Sequence, residues 1–463
     1  MRYGSVQLPA VLPRTLSPRR SIKFFVASSI LLLVWPLAAF TQGTAWEKSM
    51  EAGLRAYQQG RYDEAEGFWQ TALNEVEKFG SEDPRLAHTL NEMGGLYYNL
   101  GQYAQAERLH NRALAIREKI RGPEHFEVAQ SLYNLGGVYL AQGRYTQAEL
   151  LYSRSLAIVE KILGPDHPDV THVLLGLAGV YLAQRKHTKA VRLYKRLLTI
   201  LERSSGPEHP SVAVSLNNLA LLYWRDQGRY AEAEPLLKRA LAIVERAFGP
   251  EHPDVVASLN NLAGMYSSQG EYARAEPLLK RAVAVSEKIR VPKERLAETL
   301  TDLALIYVAQ RQFAKAEPLL KRALTIAEQA VGPEHPSVAN SLSKLAVLYR
   351  EQGRYSEAEP LLKRALTIEE KAMGPDHPAL AASLYELAGV YLGQGRYPEA
   401  ELLVKRALAM FENTLGPDHP HVATTLEGYS RLLRKMNRSV QAAELEARAK
   451  AIRAKHAPGK SAK

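Results

Sequence analysis

The 463 residues include no cysteine, which excludes disulfides, thiolate metal sites and a lipid-modified cysteine. Catalytic signatures are missing as well. No phosphate-cradling glycine loop, H-E-x-x-H, G-x-S-x-G or dinucleotide fingerprint is written anywhere in the chain. The net charge of +11 suggests a nucleic-acid footprint only until it is located. Residues 1–43 carry Arg2, Arg14, Arg19, Arg20 and Lys23 with no acid, and residues 448–463 carry six basic residues with no acid. The two ends hold the whole excess, the body between them is neutral, and a neutral body has no field to steer a phosphate backbone. No nucleic-acid partner is therefore expected.

An apolar run occurs at residues 24–40, after a basic stretch and before Thr41-Gln42-Gly43. That layout predicts a secretory signal peptide, with Leu37-Ala38-Ala39 as a small-residue cleavage site. Seventeen residues is also about the lower limit for crossing a bilayer, so an uncleaved anchor is the alternative. In both cases the basic cluster stays cytoplasmic and the rest is exported. The product is periplasmic or secreted after cleavage and otherwise anchored facing outward, so membrane contact is expected only through residues 24–40.

From residue 44 the chain is a repeat. The alanines Ala65, Ala106, Ala148, Ala190, Ala233, Ala275, Ala316, Ala358, Ala400 and Ala442 are spaced by 41, 42, 42, 43, 42, 41, 42, 42 and 42 residues, giving ten units. Each unit has two helical periods. Leu259, Leu262, Ala263 and Tyr266 share one face, and after Gln269-Gly270 so do Ala275, Leu278, Leu279 and Ala282. Gly249 suits the end of one helix and Pro253 the first turn of the next. One pair of helices cannot bury its own apolar face, which is why an array is required. Three units are irregular: the fourth has Arg185-Lys186-His187 where others have Gly-x-Tyr, the fifth gains a residue near Arg225-Asp226, and the seventh opens on Val291-Pro292 without Gly or His. The first and last units depart from the consensus and read as caps. Residues 1–43 are set apart as the signal or anchor, 44–456 as the repeat body, and 457–463 as a disordered basic tail.

Leu216, Leu219, Ala220, Tyr223, Ala233, Leu237 and Ala240, matched by Leu132, Leu135, Gly136, Tyr139, Ala148 and Tyr152, resemble the tetratricopeptide pattern. The 42-residue period, the G-P-[DE]-H-P linkers and the Ala-Glu-Pro-Leu-Leu-Lys-Arg-Ala run resemble the kinesin-light-chain class of that repeat. The resemblance implies an all-α fold, an α-solenoid of ten helix pairs wound as a right-handed superhelix, with a concave groove lined by the first helices.

Three sets of residues are candidates for function. Seven linker histidines, His125, His167, His209, His252, His335, His377 and His419, each follow an acid. Equivalent positions in stacked pairs lie about 10 Å apart, whereas zinc needs nitrogens at about 2.1 Å. The histidines are expected to organise helix N-termini, and no metal or cofactor is expected. The five Lys-Arg pairs from Lys238-Arg239 to Lys405-Arg406 are not read as a basic stripe, because each Lys follows a Glu by four residues. The third set points inward on the first helices: Asn91, Tyr133, Asn134, Asn217, Asn218, Trp224, Asn260, Asn261, Asn340 and Tyr385. Amides offer donors and acceptors to an extended backbone, and these are the expected partner-binding residues, with Asn217 and Asn260 solvated. The helix pairs leave no segment for a catalytic domain. The expected function is a non-catalytic scaffold binding a protein or peptide ligand in the groove. The alternative is a rigid spacer in an envelope complex, binding through edges and ends.

Overall fold

The computed structural model describes residues 44–456 apart from 227, 290, 376, 378 and 379; the signal or anchor segment and the C-terminal tail fall outside the described residues. Among the described residues there are twenty α-helices and no strand. Contacts group the chain into two compact units, Met1–Pro250 and Glu251–Lys463.

The first unit holds α1 (Ala45–Gln58), α2 (Tyr62–Val76), α3 (Pro84–Asn99), α4 (Tyr103–Arg121), α5 (Phe126–Ala141), α6 (Tyr145–Leu163), α7 (Val170–Ala183), α8 (His187–Ser205), α9 (Pro210–Leu221) and α10 (Tyr230–Phe248). The second holds α11 (Pro253–Ser268), α12 (Tyr272–Ile289), α13 (Lys293–Ala309), α14 (Phe313–Val331), α15 (Pro336–Glu351), α16 (Tyr355–Met373), α17 (Leu380–Gly393), α18 (Tyr397–Leu415), α19 (Pro420–Lys435) and α20 (Ser439–His456). Odd-numbered helices are the first of each pair. Within each unit a first helix packs on its own second helix, and that second helix packs on the next first helix.

The linkers follow from their chemistry. Gly122 and Gly332 end α4 and α14 with φ of 85° and 86°, in the left-handed region where a side chain is strained. Three residues on, the histidine caps the next helix. Nδ1 of His125, His209, His252, His335 and His419 accepts the backbone N–H two residues later at 3.2 Å, and His167 does so at 3.3 Å. Histidine thus takes the place of the usual Ser or Asp cap.

Each irregularity of the repeat has a local outcome. Arg185 adopts φ 57°, the left-handed turn that Gly143 makes at 77° in the preceding pair. The extra residue of the fifth unit is absorbed in a π-helical turn, Leu222–Asp226, at the end of α9. Where Arg144 N–H reaches back five residues to Tyr139 O, Arg229 N–H reaches back six to Tyr223 O. At the seventh unit Pro292 precedes α13 with no side-chain cap.

Rings and glycines are matched inside the pairs. A Cβ on Gly53 would run into the Trp69 indole, one on Gly94 would stand 2.7 Å from His110, and one on Gly136 3.2 Å from Tyr152. Where the second helix carries Leu instead, as at Leu237 and Leu279, the corresponding first-helix residues are Ala220 and Ala263.

Charge on the outer face is consumed by the repeat. Lys238, Lys280, Lys321, Lys363 and Lys405 pair with the Glu four residues before them at 2.7–2.8 Å. The adjoining arginines link neighbouring second helices: Arg239 to Glu202, Arg322 to Glu287, Arg364 to Glu328 and Arg406 to Glu370. A third set starts in the turn of several pairs. Arg354 stacks 4.1 Å over Tyr349 and bonds Glu317 at 2.7 Å, and Arg396 stacks 3.9 Å over Tyr391 and bonds Glu359 at 3.1 Å. Arg354 and then Lys321 hold Glu317 down at about 2. Such pairs are individually weak, so their role is to set the register between repeats.

Candidate functional site

A first helix is enclosed on three sides, and what remains exposed forms a stripe at i, i+4, i+7 and i+11. On α15 the stripe is Asn340, Lys344, Val347 and Glu351; on α17 it is Ala382, Glu386, Gly389 and Gly393; on α19 it is Thr424, Gly428, Arg431 and Lys435. These helices are neighbours within the second unit. In the first unit the equivalent stripes are more closed: Gly95, Gly137, Gly176 and Gly179 are buried, and only residues such as His88, Gln130 and His172 are half-exposed.

The expectation that the inward amides are solvated needs correction. Asn217 is only 3% exposed, Asn91 3% and Asn261 2%, and Asn218 is buried too. The reason is partly angular. One residue on a helix is a turn of about 100°, so Asn91, Asn217 and Asn260 sit one step off the open stripe, whereas Asn218 and Asn261 hold the stripe position of Glu386 and are buried because the stripe itself is closed there. These amides meet their own chain: Asn134 Nδ2 donates to Asn91 Oδ1 at 2.9 Å, and Asn260 Nδ2 to Thr299 Oγ1 at 2.9 Å. Tyr133 is buried against Tyr152 with ring centroids 5.3 Å apart, and Trp224 is buried in the π-helical turn with the Arg225 guanidinium 5.2 Å from its ring. Of the expected residues, Asn340 is exposed, and Asn134, Asn260 and Tyr385 are half-buried.

The second unit brings together a polar cluster that was only partly legible in the sequence. Arg350 Nε stands 3.3 Å from Glu386 Oε2 without hydrogen-bond geometry, and its NH2 donates to Glu351 at 3.0 Å. The guanidinium is seated on Gly389, where a Cβ would lie 3.1 Å from NH1. Beside it Tyr385 Oη donates to Thr424 O at 3.3 Å, over Gly428, whose position admits no Cβ. Burial pushes the Tyr385 phenol up, against the opposing charge of Arg431. Ser343 Oγ is buried without a hydrogen-bond partner, at a cost of about 1–3 kcal/mol, and beside it Arg350 Nε and Glu386 Oε2 face each other as an ion pair that lacks hydrogen-bond geometry. At its end a cleft of about 830 Å³ is lined by Gly393, Gly395 and Tyr397 on one side and Arg431, Arg434 and Lys435 on the other.

Arg431 and Lys435 were missed because the face was counted on one unit; aligning all ten units position by position places them on it. Among the described residues no three His, Asp or Glu side chains gather as a metal site. The histidines accounted for above spend Nδ1 on helix caps.

The tetratricopeptide repeat family matches residues 52–119, 85–161, 127–203, 170–233, 211–288, 295–371 and 352–413, and a second tetratricopeptide repeat group matches 385–457. No curated protein matches the chain. Among solved structures, a putative kinesin light chain with nearly identical TPR-like repeats from Podosopora anserina is 32% identical, covering 45% of this chain and 98% of that one, with a TM-score of 0.40. The apo form of RapI is 16% identical over 81% of this chain and 99% of its own, with a TM-score of 0.56. A Rap protein complexed with Competence and Sporulation Factor is 14% identical over 81% and 99%, with a TM-score of 0.50. With helix pairs running from Ala45 to His456 and family matches over most of that length, the chain belongs to the tetratricopeptide repeat family.

Proposed function

We propose that the protein is an exported, non-catalytic scaffold that binds a peptide or protein segment along the open stripes of the first helices, with α15, α17 and α19 of the Glu251–Lys463 unit as the principal surface. The observation that carries this reading is the cluster of Ser343, Arg350 and Glu386, a hydroxyl without a hydrogen-bond partner beside an ion pair that lacks hydrogen-bond geometry, on a face left open by the fold. An extended backbone supplies both donors and acceptors to such a face. The Rap protein complexed with Competence and Sporulation Factor is a neighbour of the same fold and supports the use of such an array for binding. The spacer reading draws on the first unit, where Asn134 and Asn91 bond to each other and the stripes are closed. Export rests on residues 1–43 alone.

A photo-crosslinking side chain placed at Val347, on the open stripe of α15, tests the surface against the same group at Lys363 on α16. Transfer of label to a partner from position 347 and not from 363 is the expected result. Transfer from 363 alone replaces groove binding by the spacer.

A further inference from the structure

We infer that the outer face of α8 docks on anionic phospholipid headgroups, a contact separate from the open stripes of the first helices and from residues 24–40. The Glu that follows the spacing alanine of each unit, the residue that pairs with the outer lysines, is present in eight of the ten units, from Glu66 to Glu401. In the fourth unit that place holds Val191, which is buried. Around it residues 185–196 supply six cations and no acid, and Arg185, Lys186, Lys189, Arg192 and Lys195 are all exposed. Lys189, Arg192 and Lys195 recur at every third residue and so line one face of the helix.

Little nearby neutralises them. Glu149 of α6 is shared, 3.3 Å from Lys186 and 3.8 Å from Lys189. Glu160 of α6 is taken by Arg196 at 2.6 Å, and on α10 Glu232 is taken by Arg229 at 2.6 Å and Glu234 by Lys238 at 2.8 Å. Arg185, Arg192 and Lys195 make no ion pair among the described residues. The row beside the patch adds an apolar group. Arg196 with Glu160 and Arg154 with Glu118, both at 2.6 Å, set α4, α6 and α8 side by side. Two residues after the spacing alanine these helices carry Arg108, Leu150 and Arg192, where four later units carry Pro, so helix packing does not dictate the choice. Arg108 is exposed without an ion pair, and Leu150 is 67% exposed.

A leucine held in water among unpaired guanidinium and ammonium groups matches the surface of a bilayer. Headgroup phosphate oxygens accept hydrogen bonds from the cations, and the acyl boundary just beneath takes the leucine. A soluble polyanion would engage the cations and leave Leu150 in water. With a handful of cations and one apolar side chain the contact is reversible and falls away with salt.

Co-sedimentation of the full chain with vesicles at about 50 mM salt tests the contact, with phosphatidylglycerol and phosphatidylcholine in equal parts against phosphatidylcholine alone. Each cation near an anionic bilayer contributes about five-fold in partition. Arg192→Gln with Lys195→Gln should therefore lower binding to the mixed vesicles about 25-fold, and Leu150→Gln about five-fold. Residues 1–43 are identical in every variant, and Lys321→Gln with Lys363→Gln removes the same charge from outer lysines that are paired with Glu. That control should change binding less than about three-fold. Every replaced side chain is exposed, and thermal melts verify that the variants are folded. Equal binding to the two kinds of vesicle, an equal loss in the control, or unchanged binding of either patch variant overturns the inference. So does retention by soluble polyglutamate, lost in Arg192→Gln with Lys195→Gln, when the mixed vesicles retain nothing, since the patch then belongs to an acidic protein.

Discussion

His110 provides the sharpest test of how the interior was built. Its ring is enclosed between α4 and α3, pressed on Gly94, and Nδ1 has no hydrogen-bond partner. Burial first, and then the Arg117 guanidinium, lower its pKa from 6.5 to about 3. The folded state therefore stays neutral where the unfolded chain takes up a proton. The stabilisation is complete above about pH 6.5 and is lost progressively as the pH falls toward about 3. At pH 5, about 1.5 units below the unfolded value, the loss is about 2 kcal/mol, rising to about 4 kcal/mol near pH 3. His110→Leu, which installs the residue type found at Leu237 and Leu279, removes this dependence. The assay is exchange protection of Leu90 and Met93 at pH 7.5 and 5, wild type against variant, with the His110 ring followed by NMR. A wild-type loss about 2 kcal/mol larger than the variant's is expected. Equal losses, or a ring that titrates near its ordinary value, refute the argument.

Four further outcomes follow from the same contacts. Gly94→Ala places a Cβ 2.7 Å from the His110 ring and should destabilise by about 1–3 kcal/mol in denaturant titration, with most of the cost returned when His110→Leu is added. Arg185→Gly relieves a left-handed φ of 57° and should stabilise by about 0.5–1 kcal/mol, allowing for the entropy of glycine. Glu317 is held at about 2 by Arg354 and Lys321, so its stabilisation is present above the usual carboxylate range and lost as the pH falls toward 2; Glu317→Gln should flatten that acid limb in thermal melts. The uncapped start of α13 should exchange about 3- to 30-fold faster over residues 293–300 than the His335-capped start of α15 over 336–343, the range set by one lost N-cap.

Much of the fold was legible because its causes are local and repeated. Apolar residues at three- and four-residue intervals fix two helices per unit, Gly and Pro fix where they stop and start, and ten copies leave one arrangement. Even the irregular units announced themselves. The extra residue near Arg225 became a π-helical turn because the apolar register on both sides had to be kept. The ring-to-glycine matching was less visible, since it joins residues sixteen apart on two helices, as in Gly53 with Trp69, and shows only when the units are compared.

The binding face was harder to read because a first helix in the array has neighbours on three sides, and an error of one residue moves a side chain from solvent into a helix–helix contact. Asn217 and Asn218 are both buried, and of Asn260 and Asn261 it is Asn260 that is half-exposed, differences that composition alone cannot show. The repeat itself can. Where every unit places Gly, Ala or Leu at a position, packing explains the choice; where one unit breaks the pattern, packing has been overridden. The position of Arg350 holds Leu140, Leu182, Val308 and Leu392, the rings Tyr57, Tyr98 and Trp224, and Ser267 in other units, and Arg only here and at Arg434. A guanidinium in a place that mostly holds an apolar side chain costs desolvation, and here it lies on Gly389 and beside Glu386. Three residues on two helices are thus committed to one charged arrangement that packing alone does not call for, and that is why the open face of α15 and α17, and not the buried amide row, is the surface we propose for the partner.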